Sequence, residues 1–169
     1  MKDNDLSVDD LQAVATASRG IGQPHSLFAA LDSALNNSIG HILFTVLLLH
    51  ESSNENERFY TNNAKDYPVG GRKKVVPSDW TEQLYVRQLP FIGTTADDIR
   101  RVFFDHEIII SLGCESVLNI PVVYDGRTLG SMNLLHEANW YTEHHVEAAQ
   151  VFAALAIPGY LRLLDSALA

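Results

Sequence analysis

An Asp-Gly pair between two apolar runs is the feature that most constrains the fold of this chain. Asp125-Gly126 separates residues 115–124, ESVLNIPVVY, from residues 127–137, RTLGSMNLLHE. Asp-Gly favours a two-residue hairpin turn, so the two runs are predicted to pair as antiparallel strands. Both faces of this hairpin are largely apolar, which predicts protein layers on both sides. These features favour an α+β fold with an antiparallel sheet over a doubly wound one.

The turn also predicts a pairing register for the hairpin. If Tyr124 pairs with Arg127, then Asn119 and Asn133 point to opposite faces of the sheet. Each asparagine lies in an otherwise apolar strand, so its amide needs hydrogen-bond partners. At most one of them is then expected to face a pocket, and a structural hydrogen bond to a neighbouring loop is the expected role.

The rest of the chain alternates between helical and extended patterns. Residues 41–50, HILFTVLLLH, form a continuous apolar run typical of a buried strand, and RFYTNN is predicted to be a shorter returning strand. One helix is predicted over residues 96–112, ending at Gly113. Further helices are predicted to begin near Ser7, Pro24, Ser78 and Thr142.

Charge and cysteine content limit the function classes. The formal net charge of -9 and the pI near 5.1 argue against binding to nucleic acids or anionic membranes. A single cysteine, Cys114, predicts a reducing, cytoplasmic location, and the acidic N-terminus lacks the pattern of a signal peptide. The apolar residues 146–164 are interrupted by charges and by Pro158-Gly159, so a helix at a subunit interface is predicted, not a membrane span.

Several residues around the hairpin resemble the C-terminal half of a GAF domain. The family pattern is a small residue and a serine before the first hairpin strand, then the turn, a glycine in the second strand and a closing helix. The matching residues are Gly113, Ser116, Ile120-Pro121, Asp125-Gly126, Leu129-Gly130 and Asn133-Leu134. The resemblance implies a profilin-like antiparallel sheet of about six strands. Terminal helices would cover one face, and middle helices and loops the other.

The resemblance also implies a domain division and a function. Residues 1–22 are expected to form an N-terminal dimerisation helix, and residues 23–169 the GAF-like domain ending in a long helix. The expected function is non-catalytic small-molecule binding or sensing in signal transduction, within a cytoplasmic homodimer. Apolar residues on the last helix are the candidate dimer contacts: Leu155, Ile157, Tyr160, Leu161 and Leu164.

The ligand pocket is predicted between the sheet and residues 64–112. Arg72, Lys73 and Lys74 adjoin two glycines there, and such a basic loop can bind a carboxylate or a phosphate. An anionic or amphipathic small molecule is therefore the predicted partner. The predicted ligand-binding residues are Arg72, Lys73, Trp80, Phe91, Phe103, Cys114, Ser116 and Asn133.

Two alternative functions remain open at this point. Cys114 could be the nucleophile of a redox enzyme similar to the free methionine-R-sulfoxide reductases, although the chain has no second cysteine to resolve a disulfide. The protein could also be a regulatory subunit that binds a protein partner. The seven histidines show no metal-binding spacing, so neither a metal nor a cofactor is expected.

Overall fold

The computed structural model describes residues 6–168 and contains six helices and six strands within that range. The helices are α1 Val8–Ala17, α2 His25–Ser38, α3 Asp79–Thr81, α4 Ala96–Val102, α5 His106–Ser111 and α6 His144–Leu168. A short π-helical segment, Glu82–Val86, continues α3. The strands are β1 Leu43–His50, β2 Glu55–Thr61, β3 Arg72–Lys74, β4 Phe91–Gly93, β5 Ser116–Tyr124 and β6 Arg127–His136.

The six strands form one antiparallel sheet in the order β3-β2-β1-β6-β5-β4. The two long hairpins, β1–β2 and β5–β6, meet where β1 pairs with β6. Helices α1, α2 and α6 cover one face, which we call the helix face, and residues 64–112 cover much of the other. The predicted α+β fold is confirmed.

The helix face is a continuous apolar core. Phe28 of α2 and Phe152 and Tyr160 of α6 are all completely buried. Val14 of α1 joins the same core, so the N-terminal helix packs on its own subunit. The Tyr160 hydroxyl donates to the Ser131 carbonyl oxygen at 2.8 Å, which removes Tyr160 from the predicted dimer contacts.

A bulge in β6 changes the predicted hairpin register. Tyr124 pairs with Arg127 as expected, but an additional residue, Leu129, intervenes before Val122 pairs with Gly130. Beyond it every pairing shifts by one residue, because a bulge sets two residues against one. Asn119 therefore lies opposite Asn133, and the prediction that the two face opposite sides is wrong.

The helix predicted over residues 96–112 is divided into α4 and α5. Phe103 adopts an extended backbone, with φ -109° and ψ 126°, and this ends α4. The residues at this break, Phe103 to Asp105, all line the site described next. Within residues 6–168, no helix is both long enough and apolar enough to cross a membrane.

Candidate functional site

A cavity of about 670 Å³ lies between the sheet and the residues of the middle segment, 64–112. This is the position predicted from the sequence. Strands β1, β2, β3 and β6 and the break between α4 and α5 contribute to its walls. The side chains used in the argument below are Thr45, Leu47, Arg58, Tyr67, Lys73, Trp80, Phe103, Phe104, Asp105 and Asn133.

The floor of the cavity rests on a chain of hydrogen-bonded side chains, of which Thr45, Trp80 and Asn133 line the cavity. The indole Nε1 of Trp80 donates to Asn119 Oδ1 at 3.0 Å, and Asn119 Nδ2 donates to Asn133 Oδ1 at 2.7 Å. Asn133 Nδ2 donates onward to Thr45 Oγ1 at 3.2 Å, and Ser131 Oγ donates to Asn133 Oδ1 at 3.1 Å. The bulge in β6 makes this chain possible, because it brings both asparagines to one face. A connected network of this kind fixes the direction in which each amide points.

An aromatic wall rises from this floor. Ser78 and Thr81 form a reciprocal capping box that starts α3 and holds Trp80 in place. Phe103 meets the indole edge to face, with ring centroids 5.5 Å apart. This wall offers apolar contacts next to the amides of the floor.

Arg58 lines the cavity from the neighbouring strand. A second bulge, at Phe59, places Arg58 on the cavity side while Tyr60 turns to the helix face. The guanidinium carbon lies 3.6 Å from the centroid of the Tyr67 ring, and Nη1 donates to the Pro68 carbonyl oxygen at 2.8 Å. Nε is buried with no hydrogen-bond partner, which costs about 1–3 kcal/mol for a donor of this kind.

A carboxylate lies beside this guanidinium. Asp105 Oδ2 is 3.9 Å from Arg58 Nη2, a separation too long for a hydrogen bond. The same oxygen accepts a hydrogen bond from the Tyr67 hydroxyl at 2.5 Å. Burial raises the pKa of Tyr67 far above its usual range, so the phenol keeps its proton and remains a donor.

Two exposed side chains meet at the rim of the cavity. Lys73 Nζ lies 3.8 Å from the centroid of the Phe104 ring, and 73% of Phe104 is exposed. This cation–π contact joins β3 to the turn between α4 and α5.

The structure separates the predicted ligand-binding residues into two groups. Lys73, Trp80, Phe103 and Asn133 line the cavity, whereas Arg72, Phe91, Cys114 and Ser116 lie outside it. A role in ligand binding stays a prediction for the first group. The second group does not line this cavity, so the cavity gives no support for such a role.

Strand alternation places the Lys73 side chain on the opposite face from those of Arg72 and Lys74, which both approach Glu55, although residue 74 also borders the cavity. Successive side chains of β3 point to opposite faces of the sheet. Arg72 therefore turns away from the cavity, where its Nε bonds Glu57 Oε2 at 3.2 Å.

Phe91 and Ser116 make structural contacts outside the cavity. Phe91, in β4, packs against a second, smaller apolar cluster, which includes Ile99 of α4, Ile109 of α5 and Val117 of β5. Ser116 Oγ lies at hydrogen-bond distance from the carbonyl oxygens of His136 and Glu137, the nearer at 2.7 Å.

Cys114 is completely buried in that smaller apolar cluster. Burial raises the pKa of its thiol to about 12, against a smaller lowering by a hydrogen bond from the Leu43 backbone. A nucleophilic cysteine needs the thiolate form and access to its substrate. Neither condition holds here at neutral pH.

The sequence reasoning missed Arg58 and Tyr67. Arg58 follows a glutamate in a polar stretch, a pattern typical of a solvated strand residue. The bulge at Phe59, which the sequence does not reveal, turns its side chain toward the cavity. Within residues 6–168, no three or more His, Cys, Asp or Glu side chains come together in a group that could hold a metal ion.

Comparisons with known proteins agree with this architecture. The profile of the GAF domain family matches residues 43–157. The GAF domain of a phosphoenolpyruvate-protein phosphotransferase from Coxiella burnetii superposes with a TM-score of 0.74 at 14% identity, covering 98% of this chain and 99% of that one. The corresponding domain from Acinetobacter gives 0.73 at 13% identity, with 95% and 96% covered.

An enzyme shares the same fold. The free methionine-R-sulfoxide reductase of Neisseria meningitidis, solved in complex with its substrate, superposes with a TM-score of 0.61 at 13% identity, covering 93% of this chain and 89% of that one. No curated protein sequence matches the chain significantly. Likeness at these identities establishes the fold alone, whereas the family profile spans well over half of the chain. The protein is therefore a member of the GAF domain family.

Proposed function

We propose that this protein is a non-catalytic, small-molecule-binding sensory GAF domain. The observation that carries the proposal is the cavity of about 670 Å³, with its hydrogen-bonded polar floor and aromatic wall. A pocket of this size that combines apolar walls with a few placed polar groups is typical of small-molecule sites. Lys73, Trp80, Phe103 and Asn133 are the proposed contacts kept from the sequence prediction.

A thiol-dependent redox enzyme is less well supported. Cys114 lies outside the cavity, is buried and has a raised thiol pKa. The cavity of this protein therefore offers no reactive thiol to a thiol-dependent reductase mechanism.

The signal has a short physical route from the cavity to the terminal helices. The Ser131 hydroxyl bonds the floor amide of Asn133, and the Ser131 carbonyl oxygen accepts from Tyr160 in α6. A ligand that binds one arrangement of the floor more tightly shifts the population toward that arrangement. The position of α6 is then the proposed output.

Native mass spectrometry of freshly purified protein, followed by denaturing extraction, tests the binding proposal. The wild type is expected to retain one small molecule per subunit. The variant Leu47→Trp, which places a bulky ring in the cavity, is expected to lose it. Val151→Trp, on the exposed side of α6, is the matched control and should retain the ligand. Retention by Leu47→Trp, or co-purification of a protein with no small molecule, would oppose the proposal.

We also propose a cytoplasmic homodimer that associates through the terminal helices. Leu161 is exposed on α6, and Leu155, Ile157 and Leu164 are only partly buried. The free, buried Cys114 fits a reducing compartment. Light scattering after gel filtration should give twice the subunit mass for the wild type and the subunit mass for Leu161→Glu. A monomeric wild type would contradict the proposal.

A further inference from the structure

We propose that the cavity binds an organic anion with one anionic group on an apolar body. Arg58 would hold the anionic group, and Asp105 would occupy that position in the ligand-free protein. This inference rests on the proposed function, since it requires that the cavity bind a small molecule. The shared ligand chemistry is a carboxylate, phosphate ester or sulfonate, attached to a body of one or two rings.

The charge of the cavity walls is the first observation. Five of the 12 Lys and Arg residues line the cavity of a chain whose net charge is -9, and Asp105 is the one carboxylate among the described lining residues. The five cations are Arg58, Lys73, Lys74, Arg100 and Arg101. A local excess of cations in an acidic protein concentrates anions at that place.

Three of these cations already have carboxylate partners outside the cavity lining. Lys74 pairs with Glu55 at 3.8 Å, and the two arginines of α4 pair with their own helix neighbours at 2.7 and 3.1 Å. Lys73 has no ion pair within residues 6–168, and its Nζ contacts the Phe104 ring instead. The charges left for a ligand are therefore those of Arg58 and Lys73.

The second observation is that most N–H donors of the Arg58 guanidinium make no hydrogen bond to the described residues. A guanidinium carries five N–H donors in a plane that matches carboxylate, phosphate and sulfonate oxygens. Among the described residues, the one hydrogen bond from this group is that of Nη1 to the Pro68 carbonyl oxygen. The Tyr67 ring supports one face of the plane, which fixes its orientation.

Asp105 is a poor partner for this guanidinium. At 3.9 Å from Nη2 it gives electrostatic attraction without a hydrogen bond, while its Oδ2 is taken by Tyr67. A ligand oxygen at about 2.8 Å would bind more strongly than this carboxylate. Displacement of Asp105 would move the turn between α4 and α5, which also carries the rim residue Phe104.

The apolar body of the ligand has a place at the other end of the cavity. Thr45 pairs with Asn133 and Leu47 pairs with Arg58, so Arg58 and Asn133 flank β1 on one sheet face. Strand spacing places their Cα atoms roughly 12 Å apart. Trp80 is linked to Asn133 through Asn119 and lines the same cavity, so aromatic rings can lie there while the anionic group reaches Arg58.

A pair of fluorescent probes that differ by one sulfonate tests the inference. The anionic probe is 8-anilinonaphthalene-1-sulfonate, and its uncharged counterpart is N-phenyl-1-naphthylamine. Both are expected to bind the wild type. Arg58→Met should raise the Kd of the sulfonate about tenfold or more and leave that of the neutral probe within twofold. Lys73→Met should raise the Kd of the sulfonate about threefold.

Asp105→Asn gives a result of opposite sign. Removing the internal carboxylate should lower the Kd of the sulfonate about threefold or more, with little change for the neutral probe. Arg127→Gln, which removes an arginine paired with Glu51 far along the hairpin, is the control and should change neither Kd. Circular dichroism establishes that each variant is folded, and the Asp105→Asn result stands alone if Arg58→Met does not fold.

Each outcome supports or overturns one of the two proposals. If the neutral probe binds but Arg58→Met leaves the sulfonate Kd unchanged, the anion anchor is wrong and the proposed function stands. Weaker or unchanged sulfonate binding by Asp105→Asn also overturns the anchor. If neither probe binds the wild type, the proposed function fails and the inference fails with it.

Discussion

The two faces of the sheet use the same strands for different purposes. On the helix face, Phe44, Val46 and Leu48 of β1 are buried under long helices. On the cavity face, Thr45 of the same strand belongs to a polar network under short helices and loops. The helix face stabilises the domain through apolar burial, whereas the cavity face carries polar groups that form the candidate site.

The first prediction concerns the helix face. Phe152→Ala removes a completely buried ring from α6 and should lower the free energy of unfolding by about 3–5 kcal/mol. Probe affinity of the folded fraction should not change, because the ring lies on the far side of the sheet from the cavity. Urea unfolding measures the first quantity. A loss below about 1 kcal/mol would mean that this face is not the main source of stability.

The second prediction concerns the cavity floor. Asn119→Ala leaves the Trp80 indole without its acceptor and removes one of the two donors to Asn133 Oδ1, which should cost about 1–3 kcal/mol. The fluorescence of Trp80 should also change, unlike in Phe152→Ala. Asn37→Ala, on an exposed position of α2, is the control and should cost less than about 0.5 kcal/mol. Equal effects of the two asparagine substitutions would refute the network.

The third prediction is a pH dependence at the start of α4. Backbone N–H groups of Thr94 and Thr95, together with the Thr95 hydroxyl and Arg101, lower the pKa of Asp98 below its usual 3.8. A carboxyl group with a lowered folded-state pKa stabilises the fold above its unfolded pKa and loses that contribution as pH falls through the folded value. Asp98→Asn should therefore cost about 1 kcal/mol at neutral pH and less in acid.

Asp97 provides the matched comparison for this prediction. Its side chain is 91% exposed, so Asp97→Asn should change stability little at any pH. Thermal unfolding between pH 2 and pH 7 measures both variants. Parallel pH curves for Asp98→Asn and the wild type would contradict the assigned cap.

The last prediction concerns the Cys114 thiol. Because the thiol is buried and its pKa is raised to about 12, a thiol reagent should label the native protein at least about 100-fold more slowly than the urea-unfolded chain. Ligand-free and ligand-bound protein should label alike. Fast labelling of native protein at neutral pH would restore the redox function as a candidate.

The sequence predicts the helix face far better than the cavity face. Apolar periodicity places Leu27, Leu31 and Leu35 on one stripe of α2, and all three are buried. The Asp-Gly turn likewise predicts the β5–β6 hairpin correctly. These features depend on local patterns that a sequence displays directly.

The cavity face depends on two bulges that no local pattern reveals. One extra residue at Leu129 brings Asn119 and Asn133 together, and one at Phe59 turns Arg58 toward the cavity. A register shift of one residue exchanges the two faces of a strand. Gly130 marks the first bulge in retrospect, since a Cβ atom there would lie 2.0 Å from the Leu47 carbonyl oxygen.

The two tryptophans of the chain give the most direct test of the account. Trp80 lines the cavity and bonds Asn119, whereas Trp140 packs against the helix-face core and donates to the Ile39 carbonyl oxygen. Their indole N–H signals in a two-dimensional ¹H–¹⁵N spectrum, assigned with Trp140→Phe, report the two regions separately. During titration with a panel of small aromatic anions, the account predicts that binders shift the Trp80 signal and leave the Trp140 signal in place. A Trp80 signal that no member of the panel moves, or binders that shift only Trp140, would contradict it.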